Sequence, residues 1–105
     1  MNDYLCLTVL SREGEAEPEF KKRLSEFWSA VLRSQPEDFE KVYAEAVACE
    51  RHEDRLGRRY LVECEVAAKL AADAARGGFG HQPLDEDDTY SKYEAAPPEW
   101  FWIEH

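Results

Sequence analysis

The sequence predicts a small α+β domain. Three features carry that reading. A short apolar run at residues 3–11 is followed by acidic turn residues. Two stretches with apolar residues at three- and four-residue spacing follow, from residue 18 to about residue 56. A Gly-rich break at Gly77-Gly78-Phe79-Gly80 then leads into an acidic, aromatic C-terminal stretch. A mostly α-helical bundle is the alternative. The length of 105 residues fits one globular domain over 1–105.

The first run, Tyr4-Leu5-Cys6-Leu7-Thr8-Val9-Leu10, reads as a strand, with a short helix as its alternative. Tyr4, Cys6, Thr8 and Leu10 fall on one side and Leu5, Leu7 and Val9 on the other. Both sides are apolar, so the strand belongs in the middle of a sheet, and both faces need cover.

Residues 18–33 read as an amphipathic helix, with Phe20, Leu24, Phe27, Val31 and Leu32 on one stripe and Trp28 at its flank. Pro18 suits a first-turn position, because its missing N–H has no partner to lose there. Ser34 and Glu37 have capping-box spacing for a second helix. Its stripe of Phe39, Val42, Tyr43, Ala46 and Cys49 predicts a run to about Leu56, with Gly57 as terminator. A short link makes these two helices an antiparallel pair.

Residues 59–76 fit two patterns. Alternation at Tyr60, Val62, Cys64 and Val66 predicts a strand followed by a short helix. Leu61, Cys64, Ala68, Ala71 and Ala75 predict the inner face of one continuous helix, which is the leading reading. Glu65, Lys69 and Asp73 support it at four-residue spacing. Residues 77–98 then read as a flexible acidic link to an aromatic segment at 99–105. That segment is too aromatic to stay in solvent. It is expected to dock, as a strand beside the first one or over the helices.

Charge narrows the function. The formal net charge is −10, which disfavours nucleic acid and anionic membrane surfaces and favours a basic protein partner. No apolar run approaches the ~18 residues of a membrane span. Asn2 and Asp3 replace the basic start of a signal peptide, so the expected setting is the cytoplasm. Cys6, Cys49 and Cys64 are too few and too scattered for a disulfide framework and read as thiols.

The candidate site is an acidic and aromatic protein-binding surface. It comprises Asp85, Glu86, Asp87, Asp88, Tyr90, Tyr93, Trp100 and Trp102. Aromatic residues within a polar rim have the make-up of protein hot spots. The implied role is a non-catalytic regulator, inhibitor or accessory subunit, with a homodimer as a further possibility. A structural subunit of a larger assembly shares the same surface.

A small enzyme or metal-binding domain is the competing class. Cys49, His52 and Glu53 would share a helical face, to be completed by Cys64 or His81. The paired spacings that mark zinc sites are missing, no cofactor is implied, and no oxyanion or nucleophile motif accompanies the pair. Gly77–His81 lacks the Lys-Ser/Thr of a phosphate loop. Asp85–Asp88 lacks the Gly and Glu spacing of a calcium loop. Arg51, Arg55 and Arg58, on one side of a helix and followed by Arg59, form a basic cluster that could hold the acidic C-terminal region.

Overall fold

The computed structural model describes residues 3–46, 49–84, 89–91 and 99–103. The chain runs β1 (Tyr4–Leu10), α1 (Glu17–Ser34), α2 (Pro36–Phe39), β2 (Val42–Glu45), β3 (Glu50–His52), β4 (Arg55–Glu63), α3 (Cys64–Arg76), β5 (Gly80–His81), β6 (Thr89–Tyr90) and β7 (Trp100–Trp102). The sheet is open, with order β5-β1-β4-β2-β7 and antiparallel pairing throughout. β3 pairs with β4, and β6 pairs with β1. Two interleaved β-α-β units therefore share one sheet, the split arrangement of small α+β domains.

β1 takes the interior position its two apolar sides require. Its full length pairs with β4, from Tyr4 opposite Glu63 to Leu10 opposite Gly57. Leu7 and Val9 point to the helix side and are buried there with Val42, Ala44, Leu56, Tyr60 and Val62. α1 lays Phe20, Leu24, Trp28 and Val31 on that face. Trp28 is thus central to the stripe, while Phe27 and Leu32 are half-buried at its edge. α3 adds Val66, Ala67, Leu70, Ala71 and Ala74.

The second helix ends after one turn, not near Leu56. Val42 and Ala44 face inward while Tyr43 and Glu45 face outward, the two-residue period of a strand. That period competes with the helical one over the same apolar residues. Pairing decides between them: Val42 sits opposite Val62 and Ala44 opposite Tyr60. Nor does the Ser34 capping box form. Ser34 Oγ donates to the Ala30 carbonyl at 2.8 Å, and Gln35 precedes α2. Gly57 is no helix stop either. It lies within β4, where a Cβ would come within 2.6 Å of His52 Cδ2.

Residues 59–76 do not form the continuous helix of the leading reading but a strand to Glu63 followed by a helix from Cys64. Of the expected inner face, Leu61 and Ala71 are buried, whereas Cys64, Ala68 and Ala75 are exposed. The helix starts at the end of a strand, and this junction sets its phase. Its charges also look outward from the element: Lys69 binds Asp38 at 2.7 Å and Glu65 binds Lys41 at 2.5 Å.

The loop between β1 and α1 is pinned by Glu15. Arg23 Nε and Nη2 donate to its two carboxylate oxygens at 2.7 and 2.8 Å, and the Arg12 backbone N–H donates at 3.0 Å. The Glu15 side chain is 6% exposed, and the Arg23 guanidinium lies 4.2 Å over the Phe79 ring. The hydrogen bonds from Arg23 hold the Glu15 carboxyl below its ordinary value of 4.5. The stabilisation is therefore complete above that value and is lost as pH falls through the lowered one. Glu15→Gln should cost about 2 kcal/mol at neutral pH. The gap to wild type should close in acid, as read by urea unfolding across pH. A gap independent of pH would show that the carboxylate charge plays no part.

Candidate functional site

The face of the sheet away from the helices is aromatic. Alternation along β1 and β4 sends Tyr4, Cys6, Thr8, Arg59, Leu61 and Glu63 to this side. Leu61 and Tyr4 are buried in a second small cluster, with Cys6, Tyr43, Tyr90 and Trp100 packed on it. This is the cover that the second apolar side of β1 called for.

The C-terminal segment docks as a strand, but not beside β1. β4 occupies one side of β1, and β5 and β6 share the other. The outer side of β2 is open to it, and there Tyr43 pairs with Trp102, Ala44 with Phe101 and Glu45 with Trp100. The Ala46 N–H donates to the Glu99 carbonyl at 2.7 Å and extends the ladder. Trp100 and Trp102 consequently lie on the aromatic face, whereas Phe101 and Ile103 point to the helix side.

The Trp102 ring stacks on Tyr43, with centroids 3.6 Å apart and planes inclined by 28°. Tyr43 in turn meets Tyr4 edge-on at 5.7 Å. Burial raises both phenols above their ordinary value, and Glu63 nearby adds to it. Both stay neutral at physiological pH. Arg59 crosses the same face. It lies beside Cys6, pairs with Glu45 at 3.6 Å, and lies 5.8 Å from the Trp100 ring centre. The neighbouring Cys6 side chain, ahead of the Glu45 carboxylate, raises the guanidinium above its ordinary value.

Three of the predicted site residues, Tyr90, Trp100 and Trp102, thus come onto one face. Tyr90 arrives through β6, opposite Tyr4. Asp85, Glu86, Asp87, Asp88 and Tyr93 lie outside the described residues. Sequence reasoning missed Tyr4, Tyr43 and Arg59 as companions of the tryptophans. The signal was the two-residue period at Tyr43 and Arg59, hidden beneath a helical one. Phe101 and Trp102 are 42% and 45% exposed, the two large hydrophobics left open among the described residues. Both lie on β7, the outermost strand.

The helical Cys49–His52–Glu53 face does not form. Cys49 precedes β3 and packs on the core, His52 ends β3, and Glu53 occupies the turn with φ of 57°. No group of three potential metal ligands assembles among the described residues. The basic cluster is likewise split by the strand period: Arg58 faces the helix side and Arg59 the aromatic side. Among the described residues, no helix is long and apolar enough to cross a membrane. Comparison with protein families, with curated proteins and with solved structures finds no match to this chain.

Proposed function

We propose that this chain is a non-catalytic binding domain that captures an extended, basic segment of a partner protein along β7. The observation that carries the reading is the pair of open aromatics, Phe101 and Trp102, on the outermost strand. An outermost strand turns alternate backbone N–H and C=O groups away from the sheet, where another chain can pair with them. Edges are ordinarily blunted by Lys, Pro or a bulge; Trp100-Phe101-Trp102 has no such guard.

Charge selects the occupant. Seven carboxylates but only Lys92 as a basic residue lie between Leu84 and His105. At a net charge of −10, a second copy of the chain is repelled and a basic segment attracted. A hollow of about 240 Å³ beside the edge is lined by Phe39, Glu40, Trp102 and Ile103. Apolar walls with one carboxylate suit the stem and head of a Lys or Arg side chain. A regulator, inhibitor or accessory subunit would use such a surface.

The test is fluorescence anisotropy with a labelled peptide of alternating lysine and valine, against a glutamate–valine counterpart. The basic peptide should bind, and should weaken as salt rises from about 0.05 to about 0.5 M. Trp102→Ser should weaken it about tenfold or more. Equal binding of the two peptides, or unchanged binding by Trp102→Ser, would remove the proposal.

A further inference from the structure

The other side of β7 closes a cleft of about 360 Å³ between the sheet and α1. Leu24, Ala44, Phe101 and Ile103 give it apolar walls. The rest of the lining differs in kind. Trp28, Arg58 and Tyr60 bring an indole N–H, a guanidinium and a phenol to one end, and the exposed Lys21 adds an ammonium.

These groups are all donors. Tyr60 is 3% exposed, and burial pushes its phenol up to about 12, so it keeps its proton at neutral pH. The Trp28 ring lies 4.9 Å from the Tyr60 ring. Trp28 is 6% exposed; it stands against the Tyr60 phenol and opposes the effect of burial on it, yet its buried Nε1 has no well-aligned hydrogen-bond partner among the described residues. Arg58 Nε is in the same condition. Such donors are costly when left unmet, and each asks for an explanation.

Arg58 stands apart from the other half-buried arginines; Arg12, Arg33 and Arg51 also lack a salt bridge among the described residues but are exposed. Arg23, Arg55, Arg59 and Arg76 each pair with a carboxylate. Arg58 donates through Nη2 to the Glu45 carbonyl at 3.1 Å. No carboxylate pairs with it among the described residues, in a chain that has 23 acidic side chains. Its charge faces the cleft wall it shares with Tyr60 and Trp28. A cluster of donors around an unneutralised cation is complementary to a group that only accepts, and a carboxylate is such a group.

We infer that the cleft binds a small amphipathic monocarboxylate. The acid group meets Arg58, Trp28 and Tyr60, and an aryl or alkyl body lies against Leu24, Phe101 and Ile103. The volume is at the lower end of ligand pockets, which run from about 300 to 1,000 Å³, so the acid is small. This inference does not rest on partner binding. It uses the helix side of β7 and shares Phe101 and Ile103 with the partner surface, whose own elements are the outer edge and the stacked Trp102.

The test titrates 4-phenylbutyrate into the full chain and follows the indole N–H resonances of Trp28, Trp100 and Trp102 by NMR. The acid should saturate and move the Trp28 resonance most. Its neutral amide should bind about tenfold or more weakly, since it lacks the charge. Arg58→Met, which keeps the stem and removes the guanidinium, should lose a similar factor, and Arg58→Lys should lose less. The comparison of acid with amide needs no variant and stands whether or not Arg58→Met folds. Absence of saturation, equal binding of acid and amide, or shifts confined to Trp100 and Trp102 would each overturn the inference.

Discussion

Phe20→Ala should lower the free energy of unfolding by about 3–5 kcal/mol. Phe20 is 0% exposed, in the first turns of α1. Its ring is one end of a chain of aromatic contacts. Phe79 lies 6.1 Å from it, Phe27 lies 5.7 Å from Phe79, Trp28 lies 4.9 Å from Phe27, and Tyr60 lies 4.9 Å from Trp28. That chain ties α1 to the loop after α3 and to the centre of the sheet. Truncation removes the transfer energy of the ring and leaves a void that the neighbouring elements, held by the sheet, cannot fill. It also loosens Phe79, on which Arg23 rests. A domain of this size has about 5–15 kcal/mol in all, so the loss is a large share. Urea unfolding reads it directly. Glu26→Ala, on the exposed side of the same helix, serves as control and should stay within about 0.5 kcal/mol. A loss below about 1 kcal/mol for Phe20→Ala would mean that α1 does not pack on the sheet as described.

The elements legible in the sequence were those with one period and a clear stop. β1 has apolar residues on both sides of a short run, and only a covered strand accommodates that. α1 has a single 3.6-residue stripe, a Pro at its start and exposed charges opposite. At residues 36–63 the local signals were ambiguous. Phe39, Val42, Tyr43 and Ala46 satisfy a helix, yet Val42 and Ala44 alternate with Tyr43 and Glu45 equally well. Local spacing cannot separate the two. The decision comes from Val62 and Tyr60, about twenty residues away in the chain. The hairpin between β3 and β4 was hidden for a second reason. Its turn uses Glu53 at φ of 57° in place of a glycine or asparagine, so the usual sequence mark of a two-residue hairpin is missing.

The site was legible in composition but not in geometry. Clustered tryptophans in an acidic stretch pointed to a surface that does more than dissolve the protein. Which side each ring would take depended on β7 pairing with β2, and that depended on β2 being a strand. Once the pairing is known, the order Trp-Phe-Trp-Ile follows. Trp100 and Trp102 go to the aromatic face and Phe101 and Ile103 to the cleft. Arg58 and Arg59 are neighbours in sequence, yet they serve opposite faces for the same reason. A helical reading puts Arg58 beside Arg51 and Arg55; the strand places it beside Tyr60 and Trp28, where its missing carboxylate becomes visible.

Removing residues 99–105 should destabilise the domain by about 2–4 kcal/mol. The estimate follows from what the segment covers. Trp102 gives Tyr43 its stacked neighbour, Trp100 lies beside Arg59, and Ile103 packs on the main core. The ordering cost of the strand offsets part of this gain. Trp102→Ser removes the stack alone and should cost only about 1 kcal/mol. The two changes therefore separate support of the fold from partner recognition, which deletion by itself would confuse. Thermal and urea unfolding should show a large loss for the deletion and a small one for Trp102→Ser, while both lose the basic peptide. A deletion that melts like wild type would show that β7 is an appendage and contributes nothing to the sheet. A Trp102→Ser protein as unstable as the deletion would assign the exposed tryptophan to the core, and its effect on peptide binding would then reflect unfolding.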